Sequence, residues 1–203
     1  MRRFGAILID PPWSFQVYSS KGKGRSAEHH YPTLSIDSLR QLPLPNVMAE
    51  DCAVFMWATW PTLPDAMLLG AAWGLTYKTC AFLWSKLVPK RANQATFMPI
   101  EDDCNWHLGM GYWSRANTEP CLLFTRGNPK RKSASVRQLI VAPVREHSRK
   151  PDEQYARIQQ LVDGPYLEVF ARNYRAGWHC WGNEVISTVD MYPLLPSGLE
   201  RDA

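Results

Sequence analysis

The stretch that most constrains the fold is Phe4-Gly5-Ala6-Ile7-Leu8-Ile9-Asp10-Pro11-Pro12-Trp13. The apolar run to Ile9 has the pattern and length of a buried strand. It stops at a carboxylate, and two prolines follow. Proline fixes φ and has no N–H, so Pro11 and Pro12 rule out both a helix and a longer sheet ladder. In open α/β sheets, ligands bind beyond the carboxyl ends of the strands. Asp10 is therefore expected in a pocket, stiffly held, with Trp13 beside it.

The rest of the pattern agrees with such a sheet. Cys52 to Ala58 is a continuous apolar run, as in a strand covered on both faces. A helix is expected over 61–73, with Pro64 near its start and Gly74 at its end. Strands follow over 77–85, 121–125, 138–142 and 166–170. A short helix over 36–41 takes Ser35 as its cap, and Pro151-Asp152-Glu153 opens a helix to about Val162. Strand, helix, strand in this rhythm predicts an α/β fold with a mostly parallel sheet. The 203 residues read as one domain, with a Pro-rich peripheral tail over 186–203. Five scattered cysteines without Cys-x-x-Cys spacing read as free thiols in a reducing compartment. There is neither a signal-peptide pattern nor a membrane-length apolar run, so a cytoplasmic protein away from membranes is expected. The net charge of +4 is mild support for an acidic partner such as nucleic acid.

The groups around Asp10 suit one kind of chemistry. An adenine amino group is a poor nucleophile, because its lone pair spreads into the ring. A carboxylate and a fixed carbonyl, Asp10 and Pro11, could accept its hydrogens and aim the lone pair at an electrophile. Trp13 offers a stacking face for an extruded base. The alternative is an Asp-Pro-Pro turn with Trp13 filling a gap. Lys21, Lys23 and Arg25 lie among glycines in a long polar loop that suits phosphates, or is simply solvated. His29 and His30 read as surface residues, and Glu101-Asp102-Asp103 as a solvated cluster, so no metal is expected. Lys130-Arg131-Lys132 with Arg137 forms a basic patch that could track phosphates.

Asp10-Pro11-Pro12-Trp13 resembles the signature of the MT-A70 family, and the similarity runs from Asp10 to about Val185. The resemblance implies an S-adenosyl-L-methionine-dependent adenine-N6 methyltransferase. It also implies a Rossmann-like methyltransferase fold in permuted order, with the catalytic motif first and the cofactor strand last. Asp10, Pro11, Pro12 and Trp13 would be the catalytic group. Tyr31, in Tyr31-Pro32-Thr33-Leu34-Ser35, would approach the target adenosine. Tyr112 and Trp113 would wall the substrate cleft, and Arg126, before Gly127-Asn128-Pro129, would reach the cofactor and target side. Arg145 and Lys150 belong to a run similar to the family's Arg-x-x-Ser-x-Lys-Pro-Asp-Glu. Phe170, Arg172, Asn173, Tyr174, Asn183 and Glu184 match the cofactor segment, and Asp10 would adjoin it. Glu184 stands where well-known relatives have Gln, so it can accept but not donate. Nine residues precede Asp10, where eukaryotic relatives have cofactor contacts further upstream, so the adenine contacts are expected from elsewhere. DNA is expected over RNA as the substrate, read by the loops at 14–33 and 87–118 or by a partner subunit or second copy. The alternatives are an RNA adenosine-N6 methyltransferase, or a catalytically silent nucleic-acid-binding subunit. A protein-amide methyltransferase would carry Asn-Pro-Pro-Tyr, and Asp10 speaks against it.

Overall fold

The alternating apolar blocks condense into one seven-stranded sheet. The computed structural model describes residues 2–14, 33–89, 106–109, 113–146 and 149–191. The strands are β1 (Phe4–Ile9), β2 (Met48–Trp57), β3 (Thr76–Leu87), β4 (Thr118–Arg126), β5 (Leu139–Pro143), β6 (Tyr166–Val169) and β7 (Trp178–Trp181). The helices are α1 (Ile36–Arg40), α2 (Leu44–Val47), α3 (Leu63–Ala72) and α4 (Glu153–Leu161). The sheet order is β5-β3-β4-β2-β1-β6-β7. Only β4 runs against its neighbours, β2 and β3; the other pairs are parallel. The expected α/β, Rossmann-like and mostly parallel architecture is thus present, with the Asp10 strand first and the Phe170 strand late in the chain.

β1 lies in the middle, paired with β2 on one side and β6 on the other. Its pleat sends Ile7 and Ile9 into one core and Ala6 and Leu8 into the other. The first core holds Ala66 and Leu69 of α3, with Val54, Met56 and Phe124. The second holds Ile158 of α4, with Phe55, Trp57, Phe82 and Trp84. After β1 the chain moves towards β2; after β6 it moves the other way, to β7. β1 and β6 therefore flank a topological switch point, where a crevice opens beyond their carboxyl ends.

Two elements differ from expectation. Trp178–Trp181, not read as a strand from the sequence, forms a parallel edge strand on β6. Four residues are too few to show a period; the ladder with β6 makes the strand. Part of the expected peripheral tail also packs into the body. The Cys180 amide donates to the Thr188 hydroxyl at 2.9 Å, and Met191 is fully buried in the first core. Residues 192–203 lie outside the described set. The four described cysteines, Cys52, Cys80, Cys121 and Cys180, are free thiols. No helix among the described residues is long and apolar enough to cross a membrane.

The α3 seat depends on a missing side chain. A Cβ on Gly70 would lie 2.5 Å from Cε1 of the buried Phe124 ring. Gly70→Val should therefore destabilise the fold by about 1–3 kcal/mol, read as a lower urea midpoint at unchanged slope.

Candidate active site

Asp10 follows directly on β1, at the switch point. Its backbone is held from the C-terminal side. The Trp13 amide donates to the Pro11 carbonyl at 2.8 Å, and the Leu34 amide to the Pro12 carbonyl at 2.9 Å. The Trp13 ring is 6% exposed and belongs to the first core. Its Nε1 donates to the Trp57 carbonyl at 3.0 Å. The ring therefore wedges the motif in place and does not offer the open stacking face expected for it. A buried indole N–H needs an acceptor, and the end of β2 supplies one.

Four charges alternate across the strand ends. The Lys150 ammonium donates to Asp10 Oδ2 at 2.8 Å and pairs with Glu119 Oε1 at 2.9 Å. Glu119 Oε2 pairs in turn with Lys86 at 2.6 Å. The Lys150 and Glu119 side chains are 8% and 4% exposed, whereas Asp10 keeps 36% of its side chain open to the cleft. Burial alone would lower the Lys150 pKa, but Asp10 and Glu119 outweigh it and hold the ammonium above its ordinary range. Burial would raise Glu119, but Lys150 and Lys86 outweigh it and keep this carboxylate below its usual range. For Asp10 burial wins: with the Glu119 charge, it lifts the carboxyl against the pull of Lys150 and Arg172.

The opposite wall comes from the end of β6. Phe170 turns with φ 62°, a left-handed conformation rare for a bulky residue, and its ring packs 5.6 Å from that of Trp181. Such strain persists where surrounding packing enforces it, and it clusters at functional sites. Gly182 lets the chain after β7 press on Ala171, because a Cβ there would collide with the Ala171 carbonyl. Beyond the turn, Arg172 pairs with Glu184 at 3.4 Å. Lower in the cleft, the Tyr155 hydroxyl donates to Glu168 at 2.9 Å, and the Arg175 guanidinium lies 3.8 Å from the Tyr155 ring centre. Burial pushes Glu168 up to about 7, with the Tyr155 hydrogen bond and Arg175 pulling against it.

One cleft thus collects Asp10, Lys150, Phe170, Arg172, Asn173 and Glu184 from the sequence candidates. Tyr174 does not line it. Its hydroxyl donates to the Ile186 carbonyl and accepts from the Ile186 amide, which ties the loop after β7. Asn183 is exposed next to Glu184. Arg145 acts on the frame: it pairs with Asp152 at 2.7 Å and donates to the Lys150 carbonyl. Trp113 is fully exposed. Arg126 is not brought to the cleft. β4 runs antiparallel, so its last residue pairs with Cys52 at the other edge of the sheet, where it donates to the Pro45 carbonyl at 2.8 Å. Lys21, Lys23, Arg25, His29, His30, Tyr31, Glu101 to Asp103 and Tyr112 lie outside the described residues. Sequence reasoning did not single out Glu119, Lys86, Glu168, Tyr155 or Arg175. The available signal was a lone carboxylate in each of two apolar strands, Glu119 in β4 and Glu168 in β6.

A Rossmann-like sheet with a carboxylate at its switch point, facing a cleft of mixed charge, defines the class as an α/β protein with its site beyond the strand ends. The family model described as MT-A70 matches residues 4–184, and the chain belongs to that family. The Type II methyltransferase M.MunI of Mycoplasma sp is 32% identical over 202 residues, covering 91% of this chain and 78% of that protein. The N(6)-adenosine-methyltransferase MT-A70-like of Arabidopsis thaliana is 32% identical, covering 90% of this chain and 24% of its own length. The N(6)-adenosine-methyltransferase catalytic subunit METTL3 of Homo sapiens is 29% identical, covering 90% and 28%. The chain thus spans most of the mycoplasma relative and about a quarter of the plant and human ones. It is a methyltransferase of the MT-A70 family.

Two variants test the electrostatics. Lys150→Met leaves Glu119 and Asp10 facing each other without their shared cation. It should cost about 3 kcal/mol or more in urea denaturation at pH 7. Glu168 is an acid raised in the folded state, so the folded chain holds a proton that the unfolded chain has lost. Its contribution to stability therefore falls as pH rises from the unfolded pKa to about 7. Glu168→Gln should flatten that slope, seen as a smaller drop in Tm between pH 5 and pH 7.5.

Proposed function

We propose that this chain transfers a methyl group from S-adenosyl-L-methionine to the N6 amine of adenine in DNA. The supporting observation is the convergence of Asp10, after β1, with Phe170, Arg172, Asn173 and Glu184, after β6 and β7, in one switch-point cleft. The donor set fits the cofactor's chemistry. Asp10 and Glu184 are anions for a sulfonium and an ammonium, Arg172 is a cation for a carboxylate, and Asn173 and Glu184 can meet ribose hydroxyls. When bound, S-adenosyl-L-methionine supplies an electrophilic methyl group.

The protein's own part is to hold and orient. Asp10 accepts an amino hydrogen through its exposed edge, while Lys150 keeps the carboxylate from turning. The Pro11 carbonyl takes the Trp13 amide on one lone pair, and we assign its second lone pair to the other amino hydrogen. The amine is thereby drawn towards tetrahedral geometry, and its lone pair is aimed across the cleft. DNA is preferred because the relative matched over most of its length is the Type II methyltransferase. The adenosine-named relatives match over about a quarter.

A methyl-labelled cofactor assay on unmethylated duplex DNA and on RNA of the same sequence tests both parts. Label should enter DNA and be released as N6-methyladenine on digestion. Asp10→Ala should lose about 10³-fold in turnover with its circular dichroism unchanged. Full turnover by that variant would overturn the role of Asp10, and label in RNA alone would overturn the choice of polymer.

A further inference from the structure

We infer that Lys86 is a positioning residue for Asp10, acting through Glu119 and Lys150. The inference rests on the methyl-transfer reading above and extends it to the far end of the charge chain.

Four segments deliver one charge each: the end of β1, the residue before Pro151, the start of β4 and the end of β3. The signs alternate from Asp10 through Lys150 and Glu119 to Lys86, and they sum to zero. Both inner members are paired twice. Lys150 divides its ammonium between Asp10 at 2.8 Å and Glu119 at 2.9 Å, so the two carboxylates compete for it on nearly equal terms. Lys86 decides that competition. At 2.6 Å from Glu119 it supplies a second cation, and Glu119 need not draw Lys150 wholly to itself. A buried carboxylate left with one cation would pull that cation closer and loosen its hold on Asp10.

Lys86 is built for this task. Its amide donates to the Asn117 carbonyl at 2.8 Å, and its carbonyl accepts from the His107 amide at 2.8 Å, so its stem starts from backbone fixed on both sides. Its ammonium lies 4.9 Å from the Trp84 ring centre, and its side chain is 19% exposed. That ring guides the flexible stem towards Glu119. Among the described residues, other groups also face the chain, including the buried Cys121 thiol on β4, which burial pushes up and which interacts with Asp10, Glu119 and Lys150. Arg172 from the loop after β6, and Glu168 on β6, act on Asp10. His107 faces Lys86 from the 106–109 segment.

The test compares Lys86→Met, Lys86→Arg, Glu119→Gln and the Lys86→Met/Glu119→Gln double variant, by pH–rate profile and by carboxyl ¹³C NMR titration of Asp10 without cofactor. Lys86→Met should lower kcat about tenfold at neutral pH, with a smaller change in KM, and move the acid limb to higher pH. Glu119→Gln should move the limb the other way, because an anion that lifts Asp10 is gone. In the Glu119→Gln background, Lys86→Met should add nothing, since its route to Asp10 is cut. Lys86→Arg should restore most of kcat. The NMR titration should show the same two directions. An equal Lys86→Met effect with and without Glu119, or an Asp10 titration that Lys86→Met leaves unmoved, would overturn the inference. If wild type transfers no methyl, the functional reading fails, while the NMR titration still decides the coupling.

Discussion

The Lys150 ammonium, held between Asp10 and Glu119, is the contact on which the site depends. It joins residues 140 positions apart, and it lets two carboxylates, after β1 and at the start of β4 with β2 between them, sit together inside a largely apolar frame. Either carboxylate alone would be expensive to bury, and so would the lysine. Together with Lys86 they form a neutral set whose members each satisfy another. The cost is offset only while the geometry holds, so the network demands a rigid frame. That frame is visible in the Pro-locked turn after β1, the core-seated Trp13 and the hydrogen-bonded end of β3.

The strand directions explain why the network can form. Parallel strands bring their carboxyl ends to one edge, and β1, β2, β3 and β6 do so. β4 enters from that same edge because it is antiparallel, so its first residues rather than its last face the cleft. Thr118 pairs with Ser85, Glu119 with Trp84, and Glu119 thereby reaches both Lys86 and Lys150. The reversal that carries Arg126 away from the site is the one that carries Glu119 into it.

This also marks what could be read from the sequence. Asp10 was legible because its signal is local, an apolar run that ends in a charge; Phe170, Arg172 and Asn173 came from the resemblance to the family's cofactor segment, not from a local period. Lys150 entered through a motif, and its partner could not be named, since the pairing runs between segments far apart in the chain. Arg126 was placed by the resemblance of Arg126-Gly127-Asn128-Pro129 to a family motif, and the direction of the strand it ends is a tertiary fact that no window of sequence contains. Trp13 had two sides available, and the choice was made by the Trp57 carbonyl, 44 residues on. The edge strand β7 was invisible because its four residues become a strand only through β6.

The remaining link is between the two walls of the cleft, and it runs through Asp152. By position this residue caps α4, yet its carboxylate makes no cap hydrogen bond. It is spent on three arginines instead: Arg145 at 2.7 Å, Arg149 at 3.3 Å and Arg175 at 2.7 Å. Exposed ion pairs taken singly contribute little, but a shared carboxylate with three guanidinium partners is a network. Burial would raise the Asp152 pKa, and the three arginines outweigh it and hold the group below its usual range. Arg145 and Arg149 lie on the segment that presents Lys150, and Arg175 lies beyond the Phe170 turn and packs on Tyr155. One carboxylate therefore sets the spacing between the Asp10 side of the cleft and the Phe170 side. A methyl transfer needs that distance fixed in advance, because a misplacement of about 1 Å at the reacting centre can cost 10²-fold in rate.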